Sequence, residues 1–117
     1  MFAVVVVLSV LLVVVFSVAA LRKARGGAEL AAEAVHLGFP PGPYRLLGVL
    51  EAAGIAGLVI GLWWAPLGIA ALAGFVAMAS GAAIVHLRAG DPAPKWLLPL
   101  VVTVLAVAAL VLRVLTA

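Results

Sequence analysis

Glu51 stands inside GVLEAAGIAGLVIGLWW, Gly48 to Trp64, a run otherwise fit to cross a membrane. A charge at bilayer depth is costly, so it faces protein, water or a partner rather than lipid. The stretch GAAIVHLRAGD offers two partners, His86 and Arg88. If the apolar runs on either side of WWAPLG fold back as an antiparallel hairpin, the far end of the second run returns beside Glu51. His86, in line with Phe75, Ala79 and Ala82, is expected to face the interior and pair with Glu51. Arg88 is the rival. It lies about 200° further round the helix and is expected to snorkel to the interface or reach back from the helix end.

A Glu–His pair at that depth supports two kinds of role. One is a hydrogen-bonded device that fixes helix register; the other is an acid/base pair, or a polar anchor at the end of an apolar pocket. Small residues flank the carboxylate: Gly48 and Gly54 let another helix approach it, and Gly57 and Gly61 form a GxxxG contact on the neighbouring stripe. Glu29, Glu33 and His36 share one face of a short helix, and Glu-x-x-His is a spacing used by di-iron bundles. The second set that such a centre needs is absent, so these three are expected to form a solvated polar face, and no metal site is expected. With no cysteine, the chain carries no dithiol relay, thiolate nucleophile or thiolate-held iron–sulfur cluster.

The elements that position these residues follow from composition. Of 117 residues 68% are hydrophobic and 9% charged, with a mean hydropathy of +1.43, which excludes a soluble domain and indicates an integral membrane protein. Four spans are expected, at about 2–21, 46–65, 66–87 and 96–113, forming one transmembrane domain over 1–117. Positive charge follows the first apolar run rather than preceding it, so that run is read as a retained span and not as a signal peptide. The segment 22–45 is expected to lie at the cytoplasmic interface, with Ala28 to Leu37 as a short helix ended by the Gly/Pro cluster after it.

Arg22, Lys23, Arg25 and Arg45 fall in one connection and Arg88 and Lys95 in another, while Arg113 alone falls on the other side. Both connections are therefore expected to be cytoplasmic and both termini outside. Tyr44 and Trp96 would mark the inner interface, and Trp63 with Trp64 the outer one. On this reading Arg22, Lys23 and Arg25 are topology signals and anionic-lipid contacts, Arg113 is an interfacial anchor, and Gly74, Ala77 and Gly81 are close-packing residues. The net charge of +3 is thus a matter of topology, and no nucleic-acid binding is expected. So few polar residues leave no continuous polar path for a channel.

From about Leu37 to Pro99 the chain resembles the DoxX-like family of small bacterial four-helix membrane proteins. LGFPPGPYRLLGVLEAAGIAGLVIGL and PLGIAALAGFVAMASGAAIVHLRAGD carry the resemblance. It implies an all-α polytopic four-helix bundle in the bacterial inner membrane, with Glu51, His86 and Arg88 as the matching polar positions. The family name derives from a subunit of a thiosulfate:quinone oxidoreductase, so quinone is the lipophile that the resemblance suggests and membrane oxidoreductase subunits the partners. The absent cysteines argue against direct thiol chemistry. The resulting expectation is an accessory or lipophile-binding protein of the quinone/isoprenoid type, with Glu51 and His86 as its polar end and Arg88 meeting an anionic or carbonyl group. The alternative is an intramembrane isomerase, cyclase or hydrolase with Glu51 as general acid or base and His86 tuning it. The glycine stripes would also serve a homo-oligomer.

Overall fold

The computed structural model describes residues 1–117, apart from the side chain of Pro41. Five helices follow in chain order: α1 (Phe2–Arg25), α2 (Ala28–His36), α3 (Pro41–Ile60), α4 (Ala65–Arg88) and α5 (Ala93–Thr116). All but α2 are long and apolar enough to cross a membrane. At about 1.5 Å per residue, the 24 residues of α1, α4 and α5 exceed the roughly 30 Å of a bilayer core.

The helices overrun the boundaries expected from hydropathy, because charge and proline at a helix end do not stop a helix. α1 continues from Leu21 through Arg22, Lys23 and Arg25, which are good helix formers with favourable charge at a C-terminus. α3 starts at Pro41 rather than near Leu46, since proline in a first turn removes an N–H that has no partner there anyway.

The four long helices pack in a ring, α1 against α3, α3 against α4, α4 against α5 and α5 against α1, while α2 lies on α3. The buried positions repeat at steps of four and three residues. They are Val5, Ser9, Leu12 and Phe16 in α1, Leu72, Phe75 and Ala79 in α4, and Val102, Ala106 and Ala109 in α5. This is the seam of a helix bundle. Phe16 and Phe75 stack across it with ring centroids 4.2 Å apart. Valines and leucines such as Val7, Val14, Leu98 and Val104 stay exposed, as a bundle needs if lipid covers its outer face.

At the end of the bundle that holds both chain termini, α3 and α4 meet almost backbone to backbone. A Cβ on Gly61 would lie 2.2 Å from the Gly68 Cα. Arg113, expected as an interfacial anchor, is buried against this end of the bundle: its guanidinium donates to the Gly61 carbonyl from Nε (3.3 Å) and Nη2 (3.0 Å), and lies over the Phe2 ring. It thereby satisfies the last turn of α3, whose carbonyls have no intrahelical donor.

Candidate functional site

Away from that packed end the bundle opens. A cleft of about 950 Å³ lies among α1, α3, α4 and α5, with Phe16, Phe75 and Val102 among its walls. This volume is within the range of small-molecule sites. Its sides are apolar, and one flank is unusually smooth because Ala70, Gly74, Ala77 and Gly81 of α4 line it. Nothing lies within 4 Å of where a Cβ would stand on Gly74 or Gly81. These glycines were expected to be close-packing residues; the structure leaves them facing open space. Leu50 of α3, with Gly74 and Ala77 of α4, lines the cleft and is also exposed, so the cleft opens sideways between these two helices.

The polar end of the cleft carries Glu51, 2% exposed, and here the expected pairing is corrected. The partner of Glu51 is neither His86 nor Arg88 but Lys23 of α1, whose Nζ lies 2.8 Å from Glu51 Oε1. Three features of the sequence bring Lys23 there. It continues the α1 seam seven residues after Phe16, so it points inward. Gly48 removes the obstacle: a Cβ at that position would lie 2.7 Å from the Lys23 Cβ. Arg45 of α3 then fastens the end of α1, donating to the Lys23 and Ala24 carbonyls at 3.3 and 3.0 Å. Gly54, the other small residue beside Glu51, receives the Phe75 ring.

Lys23 uses the length of its side chain to reach the ion pair, and its Nζ also lies 5.4 Å from the centroid of the Tyr44 ring. The second oxygen of Glu51, Oε2, is buried without a hydrogen-bond partner. Buried polar atoms are nearly always satisfied, so this one is a specific exception.

His86 does face inward and lines the cleft, but its partner is Asp91. The reason is local. Gly90, with φ +74°, takes the left-handed position that ends α4, and the Gly90 and Asp91 N–H groups donate to the Leu87 and His86 carbonyls. That turn folds the chain back over the last turn of the helix and sets the Asp91 side chain beside the His86 ring. His86 Nδ1 and His36 Nε2 each lie 2.5 Å from one oxygen of Asp91. A carboxylate only accepts, so both rings donate. Asp91 thus ties α2 to the α4–α5 connection at the mouth of the cleft.

Of Glu29, Glu33 and His36, expected to form one solvated face, Glu29 and His36 are exposed and Glu33 is half-buried; Glu33 pairs with Arg22 at 2.7 Å and His36 with Asp91. No group of three acidic, histidine or cysteine residues is arranged to hold a metal among the described residues. Arg88 is exposed and is not among the residues that line the cleft.

The two histidine hydrogen bonds hold the Asp91 carboxyl below its ordinary value of 3.8. A carboxyl lowered in the folded state stabilises that state above its ordinary pKa, and the contribution disappears as pH falls through the lowered value. The Asp91 contribution to docking of α2 is therefore expected to persist on acidification down to 3.8 and to be lost below it. Asp91→Asn is expected to speed amide hydrogen exchange in α2 at neutral pH while α4 and α5 keep their protection. Equal protection of α2 in both proteins would show that the tether does not hold it.

Four span-length helices around a laterally open apolar cleft, with one buried ion pair at its end, define a small multi-pass membrane protein. The chain belongs to the DoxX-like family, whose sequence model matches residues 7–109. The match extends through most of α1 and α5, beyond the Leu37 to Pro99 stretch that carries the visible motifs. No curated protein and no solved structure matches the chain.

Proposed function

We propose that the protein binds a lipophilic molecule of the quinone or isoprenoid class in this cleft and acts as an accessory protein of the bacterial cytoplasmic membrane. The carrying observation is an apolar cleft of about 950 Å³ that ends on a buried Lys23–Glu51 pair with one carboxylate oxygen unsatisfied. Ligand sites typically combine mostly apolar walls with a few convergent polar groups. The head of the ligand lies at Lys23 and Glu51, with His86 nearby in the wall, and its tail runs along the smooth flank of α4. Lys23, rather than Arg88, is the cation at this end of the cleft. The sideways opening between α3 and α4 suits a ligand that arrives from the bilayer, and exchange with membrane oxidoreductase subunits would follow from the same opening.

Six of the seven basic residues belong to the end with the cleft mouth and one, Arg113, to the other. That asymmetry supports placing the mouth at the cytoplasmic leaflet, with both termini outside.

A second reading, an intramembrane acid–base enzyme, is favoured by the same unpartnered carboxylate oxygen, which would accept a proton from a bound substrate once turned toward the cleft. His86, whose Nδ1 is held by Asp91, leaves its Nε2 as the nitrogen that would tune or relay.

The test uses Gly74→Leu. A side chain there enters open space on the cleft wall, so folding is preserved while the binding volume is filled. Titration with a short-tailed ubiquinol analogue or a prenol, followed by native mass spectrometry, is expected to show binding to the wild type that is weakened at least about tenfold in the variant. Binding that the variant leaves unchanged would remove the cleft as the site.

A further inference from the structure

Glu51 lines the cleft, and one of its carboxylate oxygens, Oε2, is buried without a partner. Its neighbour Oε1 is held by Lys23 at 2.8 Å. We infer, resting on the lipophile-binding reading, that the ligand of this cleft carries a neutral hydroxyl at its polar end. Within the quinone class this selects the reduced hydroquinone over the quinone, and within the isoprenoid class the free alcohol over its ethers, aldehydes or anionic derivatives.

The argument is one of donors and acceptors. A carboxylate only accepts hydrogen bonds, so an O–H satisfies Oε2, whereas a carbonyl or ether oxygen sets a second acceptor against it. An anionic head meets the same oxygen with like charge. A cationic head would donate, but Lys23 stands beside the carboxylate and Lys95 also lines the cleft, while the Arg22 charge is matched by Glu33, so a further positive charge is opposed. A hydroxyl avoids each conflict and does more. It donates to Glu51 Oε2 and offers its own lone pairs to the ammonium of Lys23, which has three N–H groups and uses one on Oε1. The torsion that turns the carboxylate plane of a glutamate is soft, so Oε2 can swing to a donor in the cleft while Lys23 keeps the other oxygen.

The probes are geranylgeraniol, its methyl ether and the corresponding aldehyde, which share a tail and differ at the head. Native mass spectrometry of the wild-type protein in mild detergent is expected to show the alcohol binding at least about tenfold more tightly than either analogue. In Glu51→Gln the amide oxygen turns to Lys23 and its NH2 takes the place of Oε2, replacing an acceptor by a donor. The preference is then expected to vanish or to reverse toward the aldehyde, a change that a purely structural role for Glu51 does not produce.

Equal binding of all three probes by the wild type would overturn the hydroxyl inference and leave the lipophile reading standing. Binding of none would overturn both. A preference for alcohol undiminished in Glu51→Gln would overturn the assignment to Oε2. The wild-type comparison needs no variant to fold, so the inference stays exposed to refutation if Glu51→Gln misassembles.

Discussion

Lys23→Met is expected to destabilise the protein by about 3–5 kcal/mol, because it leaves the Glu51 charge buried and unpaired. Glu51 is 2% exposed, and its other oxygen already lacks a partner, so no second group is in place to share the charge. The double change Lys23→Met with Glu51→Leu is expected to recover most of the loss. Two apolar side chains of similar volume avoid the desolvation of both ions, and such replacements are often neutral or stabilising. Reversible unfolding in mixed micelles measures all three proteins on one scale. A single variant as stable as the wild type would show that the pair carries no structural weight. The double variant also separates stability from function, since it is expected to fold and yet to bind no lipophile through a polar head.

The second large effect belongs to the opposite end of the bundle. Gly61→Ala is expected to cost about 3 kcal/mol, the upper part of the range for overpacking. The added Cβ would lie 2.2 Å from the Gly68 Cα, 2.3 Å from its N and 2.7 Å from the Gly57 carbonyl oxygen, all backbone atoms that cannot rotate away. Separating α3 from α4 there also shifts the Gly61 carbonyl that Arg113 holds. Gly81→Ala is the control. Nothing lies within 4 Å of its new methyl, so it is expected to be neutral or slightly stabilising, as alanine is the better helix former. Unfolding measurements that rank the two variants alike would mean that the helices at Gly61 can part freely.

The placement of Glu51 was legible, and so was its helical face, because Gly48 and Gly54 beside a lone carboxylate mark a side that another helix can approach. Its partner was not: Lys23 stands with Arg22 and Arg25 as a topology charge, yet it extends the series Val5, Ser9, Leu12, Phe16 by seven residues. Arg113, legible as an interfacial anchor, also continues Val102, Ala106 and Ala109 at a step of four, which turns it inward. For Asp91 the only signal is the Gly90 of HLRAGD, which marks the turn that brings it back to His86. At Lys23 and Arg113 the position along the seam carries the inward direction, which the charge alone does not.

The sequence by itself determined the class of architecture and the family. Long apolar runs have to become helices in a bilayer, since no other spanning structure satisfies the backbone within a single segment. Charges at their ends and Pro/Gly at their connections then divide the chain into four spans and one short helix. What only the tertiary structure decided was which faces meet, and hence that Glu51 pairs with Lys23, that His36 and His86 share Asp91, and that Gly74 and Gly81 border a cleft while Gly61 and Gly68 seal a contact. In a soluble bundle the alternation of apolar and polar residues reveals the inner face. Here lipid-facing and core-facing residues are equally apolar, that contrast is lost, and the choice of neighbours falls to side-chain shape and a few buried charges.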